Sequence, residues 1–128
     1  MRIYVDSSAA VKLVSAEAET SALQGFLSDV GNAEILSSVL LETELRRTAS
    51  RQGAAQGEVS EVLSGIDLLA APRGLFHEAG LLAVPHLRSL DAIHLATALR
   101  IEASVLVTYD RRLGDAAEVV GIPAVAPA

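Results

Sequence analysis

Apolar runs that are continuous rather than alternating constrain this chain more than any other feature. Ser104 to Tyr109 holds an unbroken Val105-Leu106-Val107 core run, and Arg2 to Val5 is short and β-branched before it ends at Asp6. A strand that is apolar on both sides has both faces covered, as in a parallel sheet packed between helices. The segments between these runs agree. Helical spacing is read over Ala9 to Val14, Thr20 to Val30, Ser38 to about Gln52, Val59 to Ile66, Leu75 to Val84, Leu90 to Glu102 and Asp110 to Val120. Further strands are expected at Glu34 to Ser37, Asp67 to Ala71 and Ile122 to Val125. Ser7 or Ser8 is expected to cap the first helix, Ser38 the third and Ser89 the sixth. Phe26 and Phe76 fit helical core positions. The fold class is therefore α/β. One three-layer domain is expected over residues 1–128. Its central, mostly parallel sheet would have four to five strands, flanked by about seven helices.

Composition narrows the function classes. With 51% hydrophobic and 20% charged residues over 128 positions, the chain can bury one core and is not disordered. Zero cysteine excludes a disulfide framework and a thiolate zinc site, and fits a cytoplasmic protein. No apolar run reaches the roughly 20 residues a membrane helix needs, and no signal peptide is expected. The formal net charge of −6 lacks the basic footprint usual in nucleic-acid binders. Either nucleic acid is not the partner, or the acids are gathered for another purpose and basic residues line the approach. Neither GxGxxG nor GxxxxGK occurs, so no phosphate-binding glycine loop is present.

In open α/β sheets, ligands bind beyond the carboxyl ends of the strands, at the switch point. Asp6 follows the first strand and Asp110 the most strongly apolar one, so both are expected at that edge, with Asp115 about one turn further on. Glu42 borders an apolar helical face formed by Leu41, Leu45 and Ala49, and Asp91 lies in the first turn of its helix. Each acid has an ordinary role open to it. Asp6 can close a turn, Asp91 can favour the helix N-terminus, Glu42 can pair with Arg46, and Asp110 can cap the last helix. Together on one edge they would not all stay ionised unaided, because two carboxylates about 4 Å apart repel by about 4 kcal/mol at an effective dielectric of 20. All-oxygen ligands suit Mg²⁺ or Mn²⁺, which activates water for phosphodiester hydrolysis and offsets the negative potential facing a polyanion.

Four segments then carry a family likeness. Tyr4-Val5-Asp6-Ser7-Ser8-Ala9, Leu40-Leu41-Glu42-Thr43-Glu44-Leu45, Leu90-Asp91-Ala92-Ile93-His94-Leu95-Ala96-Thr97-Ala98 and Val107-Thr108-Tyr109-Asp110-Arg111-Arg112-Leu113 resemble, in order, a PIN-domain ribonuclease of the VapC toxin type. The resemblance covers essentially the whole chain, and the Asp91 block is its most specific part. It implies a PIN-like three-layer domain and a metal-dependent endoribonuclease acting on structured RNA. It implies Mg²⁺ or Mn²⁺ held by Asp6, Glu42, Asp91 and Asp110, with Asp115 as the auxiliary acid and Ser7 and Thr108 in support. Asp6, Asp91 and Asp110 would ligate the metal, with Asp115 also counted among the metal residues, while Glu42 would bind a second metal or orient the attacking water. The resemblance further implies a homodimer and a cognate VapB-like antitoxin.

The remaining candidates carry less. His77, His86 and His94 have no metal-binding spacing, and His94 reads as a half-buried structural histidine. Arg46, Arg47 and Arg51 read as a solvated charged face, and Arg111 and Arg112 are better placed for phosphate contact. Aspartyl-phosphate chemistry fails because Ser8, not an acid, stands two residues after Asp6, and the sole Lys12 lies in the first helix. The non-enzymatic alternative is a PIN-like domain that only binds RNA or protein.

Overall fold

The computed structural model describes all 128 residues. The strands are β1 (Arg2–Val5), β2 (Glu34–Ser38), β3 (Asp67–Leu69), β4 (Val105–Val107) and β5 (Ala124–Val125). The helices are α1 (Ser7–Val14), α2 (Thr20–Asp29), α3 (Leu40–Gln52), α4 (Gln56–Ser64), α5 (Arg73–Gly80), α6 (Ser89–Arg100) and α7 (Arg111–Val119). The strands form one sheet in the order β3-β2-β1-β4-β5, and every pairing is parallel. The register sets Ile3 beside Ile35 and Val105, and Val5 beside Val107.

Alternate residues of the central strands feed two cores, as the period of a strand requires. Ile3, Val5, Val105 and Val107 point into a core with Ala9, Leu23, Leu41, Leu45, Ala49 and Val59, so α1 to α4 cover that face. Tyr4 and Leu106 point the other way, against Leu95, Ala98, Leu113, Ala116 and Ala117 of α6 and α7. A small satellite of Leu75, Ala79, Ile93 and Ala96 fastens α5 to α6. These are the three layers and the parallel sheet expected from the unbroken apolar runs.

Several local expectations need correction. Neither Ser7 nor Ser8 caps α1; Asp6 does, accepting the Ala9 N–H. Ser38 remains in β2, although its hydroxyl accepts the Leu40 N–H at 3.2 Å. Ser89 lies inside α6, and the cap position falls on Arg88, whose side chain makes no capping bond. α5 stops at Gly80 instead of Val84, the residue that Pro85 itself disfavours in helical geometry. Phe76 is 46% exposed because α5 turns Leu75 and Ala79 inward, whereas Phe26 packs on the first core. Gly53 ends α3 at φ 72°, a left-handed conformation that glycine adopts without steric cost.

Candidate active site

With strand order 3-2-1-4-5, the chain reverses direction of travel across the sheet between β1 and β4. The crevice expected at such a switch point lies beyond the ends of these two strands, and there the structure sets Asp6 and Asp110. Asp6 is only 3% exposed. Its Oδ1 accepts from the Ser8 hydroxyl at 2.7 Å and the Ala9 N–H at 3.0 Å, and its Oδ2 from the Thr108 hydroxyl at 2.6 Å. The Ser8 hydroxyl also accepts the Tyr109 N–H at 2.8 Å, and the Thr108 hydroxyl accepts the Asp110 N–H at 3.0 Å. These bonds tie the two strand ends together. Burial nevertheless raises the pKa of Asp6 above the ordinary carboxylate range, because desolvation outweighs the three donors.

Asp110 is the cap of α7, as its position after β4 allowed. Its Oδ1 accepts the Arg112 N–H at 2.9 Å and the Leu113 N–H at 3.3 Å. Asp91 lies in the first turn of α6. Its pKa is raised first by burial and then by the negative charge of Asp110, with a smaller contribution from Asp6. Asp91 therefore lies within reach of the negative charges of the other two acids. Arg88 stands among them. Its Nε is 3.7 Å from Asp91 Oδ2 and its Nη2 is 3.8 Å from Asp110 Oδ2.

A carboxylate oxygen accepts about two hydrogen bonds. Asp6 Oδ1 and Asp110 Oδ1 are filled by donors of the protein. Asp6 Oδ2 has one bond, and the Oδ2 atoms of Asp91 and Asp110 meet only the guanidinium of Arg88. Each acid thus keeps acceptor capacity on at least one oxygen, and a cation already bridges two of them. Hard oxygen donors of this kind fit Mg²⁺ or Mn²⁺. No three acidic or histidine side chains are drawn close enough to hold an ion as they stand.

The two glutamates of α3 lie on different sides of the helix. Glu42 turns toward α4 and pairs with Arg46 Nε at 2.9 Å, and Arg46 also donates to Gln56 and Ser60. Glu44 faces the site. Its Oε1 is 2.6 Å from His94 Nε2, and its Oε2 accepts from the Ser7 hydroxyl at 3.4 Å. Two residues along a helix is a rotation of about 200°, so both glutamates flank the Leu41, Leu45 and Ala49 stripe on opposite sides. Both have an arginine within a turn, Arg46 four residues after Glu42 and Arg47 three after Glu44, so the local sequence does not separate them.

Two more expectations change. Ser7 does not support Asp6; it bonds Glu44, and Ser8 takes the supporting role beside Thr108. His94 is 1% exposed, more deeply buried than expected, and it links the sheet to the site. The Ser38 N–H donates to the Tyr4 hydroxyl at 3.0 Å, which in turn lies 2.7 Å from His94 Nδ1. Burial raises the Tyr4 pKa, so the phenol keeps its proton and donates it to Nδ1. The imidazole then donates from Nε2 to Glu44. Sequence reasoning missed Glu44, Ser8 and Arg88.

Asp115 is exposed and lines clefts on either side of α7 together with Asp110, Arg112 and His86, outside the Asp6 hydrogen-bond web. The three arginines of α3 part company. Arg46 is tied down toward α4, whereas Arg47 and Arg51 line a groove with Ser7, Thr48, Glu44 and Leu90.

The chain belongs to the PIN-domain family, whose pattern matches residues 3–119. Its relatives include the ribonuclease VapC35 of Mycobacterium tuberculosis, 40% identical over 131 residues that span 98% of this chain and 96% of that protein. Ribonuclease VapC46 of the same organism is 38% identical over 135 residues, spanning 98% and 97% of the two chains. Among solved structures, the fold is shared with VapC20 of Mycobacterium tuberculosis, described as a sarcin–ricin loop cleaving toxin. That match has a TM-score of 0.76 at 16% identity, covering 98% of this chain and 99% of the other. It is shared also with a chain of the Rickettsia felis VapBC2 complex bound to promoter DNA, at a TM-score of 0.79 and 15% identity with both chains fully covered.

Proposed function

We propose that this protein is a VapC-type endoribonuclease toxin that hydrolyses phosphodiester bonds of structured RNA with Mg²⁺ or Mn²⁺ and is held in check by a cognate VapB-like antitoxin. The observation that carries the reading is that Asp110 is linked to Asp6 through Thr108 and to Asp91 through Arg88 at the β1–β4 switch point, each acid keeping acceptor capacity on at least one oxygen. Full-length similarity to VapC ribonucleases supports the reaction class. The proposed metal ligands are Asp6, Asp91 and Asp110. When bound, the cation would neutralise charge on the phosphate and lower the pKa of water.

The protein's own residues do the rest. The Ser8 and Thr108 hydroxyls and the Ala9 N–H fix the Asp6 carboxylate, and backbone donors of α7 fix Asp110. Such rigid support is what a metal-binding carboxylate needs from its surroundings. Of the part expected of Glu42, binding a second metal or orienting the attacking water, Glu44 takes the orienting one, and it accepts the water's proton. The Tyr4–His94 chain holds Glu44 in place from behind. Arg47 and Arg51 offer the positive charge that an acidic protein needs along the path of an RNA strand. Attack at phosphorus with departure of the ribose 3′-oxygen leaves 3′-hydroxyl and 5′-phosphate ends. Asp115 serves as an auxiliary acid at the rim, and the protein acts as a cytoplasmic homodimer of single-domain subunits.

The test is cleavage of a pool of small structured RNAs by the antitoxin-free protein in Mg²⁺, Mn²⁺ or EDTA. Cutting that needs the metal and disappears in folded Asp110→Asn supports the proposal. Equal cutting by that variant, or cutting undiminished by EDTA, overturns it.

A further inference from the structure

A guanidinium between two carboxylates of a site reserved for a cation is itself a clue to how that site is kept when empty of metal. Arg88 precedes Asp91 by three residues, and its side chain is 72% exposed, so it is free to leave. The two carboxylates it spans belong to different elements and are only 21% and 26% exposed. It contacts the Oδ2 of each, the same oxygens that carry no other protein donor. Arg88 makes no capping bond to α6, so its side chain has no other structural work among the observed hydrogen bonds. On a chain of net charge −6, a guanidinium placed here offsets the mutual repulsion of Asp91 and Asp110.

We propose that Arg88 is a displaceable counter-ion: its guanidinium holds Asp91 and Asp110 in the metal-free protein, and a divalent cation binds by taking its place. This rests on the metal reading of the site. The exchange sets the metal concentration at which the site fills. It also leaves a free guanidinium beside the cleft once the carboxylates are neutralised.

The experiment is calorimetric titration of Mn²⁺ into the intact wild-type protein, Arg88→Gln and Arg88→Lys, with metal-free thermal melts alongside. Arg88→Gln should bind Mn²⁺ about three- to ten-fold more tightly, the gain expected from removing a partly exposed charge that pairs with two ligands. Arg88→Lys keeps the charge and should stay near the wild-type affinity. The metal-free melting temperature of Arg88→Gln should fall. A residue that merely shaped the loop would do the opposite on binding, since its loss would weaken the site. Unchanged or weaker Mn²⁺ binding by folded Arg88→Gln, with normal wild-type binding, overturns the counter-ion role alone. Absence of Mn²⁺ binding in all three proteins overturns the metal reading and this inference with it.

Discussion

Exchanging Glu42 and Glu44 one at a time separates the two glutamates by amounts the structure fixes. The Glu42–Arg46 pair is half exposed, and Arg46 keeps Gln56 and Ser60 when Glu42 is neutralised. Glu42→Gln should therefore cost about 0.3–0.5 kcal/mol of stability, the value of an exposed i,i+4 pair. It should leave RNA cleavage unchanged. Glu44 is 19% exposed and accepts a 2.6 Å bond from His94. In Glu44→Gln the amide oxygen still accepts from Nε2, but a charge-assisted bond becomes a neutral one, costing about 1–1.5 kcal/mol. That lowers the melting temperature by roughly 4–6 °C, and the protein stays folded at 25 °C. Cleavage should fall far further, by about 10²–10⁴-fold, as when a positioned acid–base group is removed. The assay is single-turnover cleavage of one structured RNA, with urea unfolding of each variant. Loss of activity in Glu42→Gln, or full activity in Glu44→Gln, would refute the assignment.

Three further outcomes follow from the same contacts. Asp91 in the folded, metal-free protein holds its proton more tightly than in the unfolded chain, so ionising it costs the folded state stability as pH rises above the ordinary carboxylate range. Asp91→Asn should therefore melt above wild type in EDTA at pH 7.5, with the gain fading toward pH 4; a gain that is equal at both pH values would contradict this. His94→Ala removes a buried ring and takes the acceptor from the Tyr4 hydroxyl, so urea unfolding should show a loss of about 3–5 kcal/mol. A loss below about 1 kcal/mol would mean that the Tyr4–His94–Glu44 chain contributes little beyond water contacts. The Arg47→Gln/Arg51→Gln pair should weaken RNA binding alike across sequences. It should also lower the slope of log affinity against log salt by about 1.4–1.8, two phosphate contacts' worth; an unchanged slope would remove the groove from the RNA path.

What could be read in the sequence divides along physical lines. β1 and β4 were legible because a strand buried on both faces has no polar positions, and Val105-Leu106-Val107 has none. Asp6 and Asp110 followed directly, since a residue just past a parallel strand has its place fixed by the strand. The glutamate was harder. Glu42 and Glu44 border the same apolar stripe, and only the neighbours of α3 decide which side faces the site: α4 on one, α6 on the other. Caps were obscured for a related reason. Ser7, Ser8 and Asp6 are all capping residue types, and the choice fell to Asp6 because Ser8 was taken by Tyr109 and Thr108 from across the sheet. The depth of His94 was hidden because α6 is buried on most sides, and Tyr4 reaches it from a strand 90 residues away in sequence.

Water attack at phosphorus, directed by carboxylates with a divalent cation, is tested most directly by the chemistry of the cut ends. A structured RNA cut by the antitoxin-free protein in Mn²⁺ can be analysed for its new termini, with Asp6→Asn treated alongside. The ends expected are 3′-hydroxyl and 5′-phosphate, appearing only with metal and not with the variant. A 2′,3′-cyclic phosphate, or the same products from Asp6→Asn, would contradict it.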